Sequence, residues 1–99
     1  MSSEAQTTPV RAICHNESAH RFEWTEDGHL CVLDYVLDDA VASFTHTLVP
    51  AAVGGRGIAA DLVRFGLDTA RTHGWQVRPV CSYVAAFVRR HPEYQDLAI

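Results

Sequence analysis

The chain of 99 residues contains no lysine, and its eight basic residues are all arginine. A nucleoside-triphosphate loop of the GxxxxGK[ST] type needs its lysine to reach the phosphates, so that class is excluded. Cysteine is scarce as well. Residues 14, 31 and 81 are odd in number, widely spaced and without a CxxC pair, which suggests neither a disulfide framework nor a zinc site and points to a reducing, cytoplasmic setting. His15, His20, His29 and His73 lack the spacing of a metal site and read as solvated surface groups, so no metal is expected. Residues 1–9 are polar, without the basic start and apolar run of a signal peptide, and no later segment has the length of a membrane span. A formal net charge of −4 disfavours a nucleic acid or an anionic membrane as partner.

The composition is that of an ordinary globular domain, with 47% hydrophobic and 20% charged residues, and the length allows one domain with one core. Residues 1–9 read as a disordered tail and residues 10–99 as the domain. After a short strand candidate over 10–15, residues 21–25 alternate and Glu26-Asp27-Gly28 forms a hairpin turn. In the strand over 29–37, Cys31, Leu33, Tyr35 and Leu37 share one face. Leu30, Val32 and Val36 make the other face apolar too, so this strand is expected to be central and covered on both sides. Asp38-Asp39 turns the chain into a strand over 41–49.

The second half reads as a helix over 57–73, a strand over 75–81 parallel to 41–49, and a shorter helix over 82–90 that ends at His91-Pro92. On the long helix Asp61, Arg64, Asp68 and Arg71 share one narrow arc, while apolar residues fill most of the rest. Gly66, inside this helix, predicts a close approach to the sheet. The fold class is therefore α+β, mostly antiparallel, with one long helix after a glycine loop and a shorter C-terminal helix.

Gly54-Gly55-Arg56-Gly57-Ile58-Ala59 lies between the strand over 41–49 and the long helix, where glycines let the main chain approach an anion closely. Residues 55–60 formally satisfy the dinucleotide pattern GxGxx(G/A). The acid expected about 20 residues on is absent, however, and the preceding segments read as antiparallel hairpins, so a dinucleotide site is disfavoured.

Together with His46-Thr47-Leu48-Val49-Pro50, Pro79-Val80-Cys81 and His91-Pro92-Glu93-Tyr94-Gln95-Asp96-Leu97, this loop resembles the small YjdJ-type branch of the GCN5-related N-acetyltransferases over residues 10–97. The resemblance implies a reduced acetyltransferase fold. It also implies acetyl-coenzyme A as cosubstrate, with an unidentified amine, on a small molecule or a protein tail, as acceptor. In that superfamily the loop follows (Q/R)xxGx(G/A) and its amides hold the pyrophosphate, so Val49, Gly54, Gly55, Arg56, Gly57, Ile58, Ala59 and Cys81 are the implied cofactor contacts. Gly54 stands where the pattern has glutamine or arginine, and Arg56 is the candidate to supply the charge.

The resemblance further implies that the strands on either side of the helix splay apart and that the acyl group lies in the gap. Cys81 is then either an acyl acceptor or a small hydrophobe lining the pocket. His46, expected on the apolar face with Phe44 and Leu48, is either a general base or a core histidine. Tyr83 is a candidate acid for the departing thiolate, with Tyr94 as its alternative, and either also reads as a packing aromatic. Two functions are compatible with these residues: an N-acetyltransferase, or an acyl-coenzyme A binding or sensing module without turnover.

Overall fold

The computed structural model describes residues 11–99, so the expected tail at 1–9 lies outside the described residues. Five strands form one sheet in sequence order: β1 (Cys14–Asn16), β2 (Arg21–Glu26), β3 (His29–Asp38), β4 (Val41–Leu48) and β5 (Gln76–Pro79). β1 to β4 are antiparallel neighbours and β5 runs parallel to β4. The β2–β3 turn is made by Asp27 and Gly28, with φ of 48° and 79°, the left-handed pair that suits the twist of a tight hairpin.

A 16-residue helix, α1 (Ile58–His73), connects β4 to β5, and α2 (Ser82–Arg90) follows β5. Gly74, at φ 73°, closes α1, its N–H donating to the Ala70 and Arg71 carbonyls. The apolar side of α1 buries Ile58, Leu62, Val63, Leu67 and Ala70, and these join Phe22, Leu33 and Phe44 of the sheet in a single core. Gly66 sets the distance between helix and sheet. A Cβ there would meet Leu33 at 2.9 Å, Phe44 at 3.1 Å and Phe22 at 3.2 Å.

The expectation that β3 is covered on both faces is corrected. β3 is central, but Leu30 and Val36 are 44% and 56% exposed, as is Leu48 of β4 at 48%. Both helices join the one core on the Leu33 and Tyr35 face; on the opposite face Val32 alone is buried, at 4%, and its neighbours Leu30 and Val36 are left to solvent. There Arg21 pairs with Glu23 and Asp34.

The C-terminal residues fasten this layout. His91 stacks on Phe87 with ring centroids 3.8 Å apart, and its Nδ1 lies 2.7 Å from the Phe87 carbonyl. Tyr94 donates its hydroxyl to Asp68 of α1 at 2.7 Å. Arg71 reaches Asp96 and the Glu93 carbonyl, and Val77 exchanges backbone hydrogen bonds with the Leu97 carbonyl and the Ile99 amide. His91, Glu93 and Tyr94 thus fasten this segment to α2 and α1, and Leu97 and Ile99 fasten the residues after it to β5. His15 also departs from its sequence reading: its ring stacks on Phe22 at 4.4 Å and its side chain is only 13% exposed. No helix among the described residues is long and apolar enough to cross a membrane.

Candidate active site

β4 ends at Leu48, and after Val49 and Pro50 a single 3₁₀ turn (Ala51–Val53) leads into the glycine loop. Gly55 and Gly57 both take left-handed φ, 75° and 81°, and Gly57 is the N-cap of α1. A glycine cap has no side chain to satisfy the first helical amides, and none does so here. The N–H groups of the first turn therefore stay available, with the positive end of the helix dipole behind them. No atom lies within 4 Å of where a Cβ would stand at Gly55 or Gly57, so the loop is uncrowded at both glycines. Free amides, uncrowded glycines and a helix start together fit a pyrophosphate. Val49 packs against the core beside the loop and Ile58 is buried beneath it.

The charged groups around the loop are mostly engaged with one another. Arg56 donates to Asp27 at 2.7 Å and Glu26 at 3.1 Å, the acids of the β2–β3 turn. Asp27 and then Glu26 raise the Arg56 guanidinium above its ordinary range. The Trp24 indole N–H, followed by Arg56, holds the Glu26 carboxyl below the usual range. Arg11 binds the Asp61 carboxylate and the Arg56 carbonyl, the latter at 2.9 Å. Asp61, an acid in the first turn of α1, is thereby countered by a guanidinium instead of facing the cradle unpaired. The carboxylates tether the loop to the hairpin through Arg56.

Beyond the loop, β4 and β5 part. Their pairing runs from Val41↔Gln76 to Phe44↔Pro79 and ends with the Cys81 N–H donating to the Phe44 carbonyl at 2.9 Å. β4 continues to Leu48 while the other chain segment turns into α2, which opens the gap. A β-bulge falls at the same place: Tyr35 opposes Phe44 but Asp34 opposes His46, so Thr45 is the extra residue. The bulge reverses the facing of the residues beyond Thr45. Thr47, opposite Leu33, turns to the covered side, whereas His46, opposite Asp34, turns to the open side and is exposed. His46 shares its face with Leu48 but not with Phe44, which corrects the expected apolar setting.

Cys81 sits at this gap as the half-buried N-cap residue of α2. Its Sγ lies 3.6 Å from Thr47 Oγ1, a hydrogen bond in which either atom can donate. Burial pushes the thiol up, but the Val84 amide, the Thr47 hydroxyl and the amides of Tyr83 and Thr47 outweigh it, and the thiol ends below its ordinary value. A thiolate at a helix N-terminus is stabilised in this way. Tyr83, in the first turn of α2, is 41% exposed with its neighbour Val80 at 58%. Val80 and Tyr83 thus leave apolar surface on two segments beside the gap, whereas Leu48 faces the open side with His46. Tyr94 is held elsewhere: it is buried, hydrogen-bonded to Asp68, and pushed up to about 12 by burial and that carboxylate.

Of the residues singled out in the sequence, the loop glycines, Cys81 and Tyr83 stand at the loop and the gap, while His46 turns to the other sheet face. Thr47 is the residue that sequence reading missed. It stands inside the segment His46-Thr47-Leu48, but strict alternation gave its facing to His46, and only the strand register reverses the two.

Two comparisons bear on this geometry. A family model described as GCN5-related N-acetyl-transferase matches residues 21–97. The solved structures include the NMR solution structure of a GCN5-like putative N-acetyltransferase from Staphylococcus aureus, similar at a TM-score of 0.71 and 22% identity over 93% of this chain and 91% of that one. At this identity the likeness speaks for the fold.

Proposed function

The chain belongs to the GCN5-related N-acetyltransferases, and from that premise we propose that it moves an acetyl group from acetyl-coenzyme A to an amine acceptor. The observation that carries this reading is the glycine loop. Its left-handed Gly55 and Gly57 leave the first amides of α1 uncapped, with open space at both glycines. On this reading the amides of residues 55–60 and the α1 dipole hold the pyrophosphate, and Val49 borders the path along β4. Coenzyme A supplies the acetyl group as an activated thioester when bound. Thr47 and Cys81 line the gap where the acyl end is held, and Val80 and Tyr83 offer it apolar surface.

Direct transfer to the amine is the favoured route, with Tyr83 as the candidate donor of a proton to the departing thiolate. His46, on the open face, is not placed to act as the base, and binding does not depend on it. We also assign the chain to the small YjdJ-type branch on the four segments that carry the resemblance, and to a reducing, cytoplasmic setting on its three free cysteines. One observation favours the second reading, a binding or sensing module without turnover: His46, the candidate base, turns to the open sheet face, away from the gap.

Calorimetric titration with acetyl-coenzyme A, followed by assay of coenzyme A release with a panel of primary and secondary amines, tests both readings. A Val side chain at position 57 would stand where the ligand approaches, so Gly57→Val is expected to weaken binding roughly tenfold or more, about 1.4 kcal/mol. Unchanged affinity in that variant overturns the loop assignment. Tight binding without release for any amine selects the sensing module. If Cys81→Ala retains a substantial rate and no acetyl adduct forms on Cys81, direct transfer stands.

A further inference from the structure

The far end of the molecule from the glycine loop holds a second constellation. His15 on β1, Glu17 in the turn after it and His73 at the last position of α1 bring one ligand atom each to within 4.8 Å of one another. We propose that these three side chains form a site for a borderline divalent transition ion, with Zn²⁺ as the reference ligand, independent of acyl transfer.

The two imidazoles are already held in place. His15 stacks on Phe22 with centroids 4.4 Å apart, and His73 stacks on Trp75 at 4.8 Å. His15 Nε2 lies 2.8 Å from the Tyr35 hydroxyl. With Nε2–H donating to that oxygen, Nδ1 keeps its lone pair and faces Glu17, whose carboxylate oxygen is 3.8 Å away. A metal-bound histidine typically has its second ring nitrogen fixed by such an outer partner. Donors around a tetrahedral zinc stand ~3.4 Å apart, so a pair at the 4.8 Å limit must close by about 1.4 Å. Glu17, 73% exposed at its side chain, is the arm free to move.

Placement and chemistry agree with a cation. His73 lies in the last turn of α1, where the helix dipole presents its negative end. Both imidazoles border a shallow cavity of about 410 Å³, also lined by Phe65, Asp68, Thr69 and Thr72. Two nitrogens and one carboxylate suit zinc, whereas magnesium and calcium call for oxygen donors throughout. Three protein ligands leave a coordination position to water, and the ion would tie the edge strand β1 to the end of α1.

The test is a titration of the full chain with ZnCl₂, read by the carbon–proton resonances of the histidine rings, with MgCl₂ in parallel. One equivalent of Zn²⁺ is expected to shift His15 and His73, to leave His29 and His46 in place, and to be reversed by chelator. Mg²⁺ is expected to shift none. Glu17→Gln, an exposed substitution, should weaken Zn²⁺ by roughly tenfold and His73→Gln by roughly a hundredfold. Rings of His15 and His73 that stay unshifted while Zn²⁺ binds would place the ion elsewhere and overturn the site. Affinity within twofold of the parent in Glu17→Gln would do the same, and that variant carries the test if His73→Gln fails to fold.

Discussion

At Cys81 two opposing effects meet on one sulfur. Burial alone raises a thiol, as it does at Cys31, where desolvation comes first and the Glu26 charge adds to it. At Cys81 the amides at the start of α2 and the Thr47 hydroxyl reverse the sign. Iodoacetamide at pH 7 is therefore expected to label Cys81 well before Cys31, and Thr47→Val should slow labelling of Cys81 severalfold. Peptide mass spectrometry over a time course reads both rates, and equal rates in parent and Thr47→Val would remove Thr47 from the account. The thiol itself was legible in the sequence, because position 81 ends a strand candidate after the long helix. Its partner was not, because one extra residue at Thr45 exchanges the facing of His46 and Thr47 and leaves no mark in composition.

Among the elements, α1 carries two expectations. Gly66 lies against Leu33, Phe44 and Phe22 with no room for a Cβ. Gly66→Ala gains about 1 kcal/mol of helix propensity but forces three buried side chains to shift, an overpacking cost of roughly 1–3 kcal/mol. The three contacts decide the sign, and urea denaturation is expected to show net destabilisation. A variant more stable than the parent would show that the core relaxes around the methyl group. The second expectation concerns the Tyr94 hydroxyl on Asp68. Its folded value of about 12 lies above the ordinary value near 10, so the protonated form is the one the fold favours. That stability is complete below pH 10 and is lost as pH rises towards 12, an effect on the order of 2 kcal/mol. Chemical denaturation across this range should fall less steeply for Tyr94→Phe than for the parent, and parallel slopes would assign the alkaline loss to other groups.

For the whole molecule, the sheet has one covered face and one open one. Leu33 is fully buried while Val36, on the opposite face of the same strand, is 56% exposed. Leu33→Ala is expected to cost roughly 2–5 kcal/mol and Val36→Thr no more than about 0.5 kcal/mol, both measured by equilibrium unfolding. A large loss at Val36 would mean that a partner covers the open face in solution. Alternation along β3 could not distinguish these faces, since Leu30, Val32 and Val36 are as apolar in sequence as Cys31, Leu33 and Tyr35. Helices that both pack on one side bury Cys31, Leu33 and Tyr35, whereas on the other side Val32 is buried and Leu30 and Val36 are exposed.

The sequence by itself determined the order of elements, the two-residue hairpin at Asp27-Gly28, the glycine loop before a helix, and the helix stop at His91-Pro92. Each rests on local physics: a backbone conformation that glycine permits, an apolar arc of period 3.6, or a proline that removes a donor. Tertiary structure alone decided which sheet face is covered, where the bulge falls, that Arg56 binds the acids of a hairpin some thirty residues earlier, and that His15, Glu17 and His73 converge. These depend on register and on contacts between residues far apart in the chain, and spacing along one strand or helix carries no record of what will be packed against it.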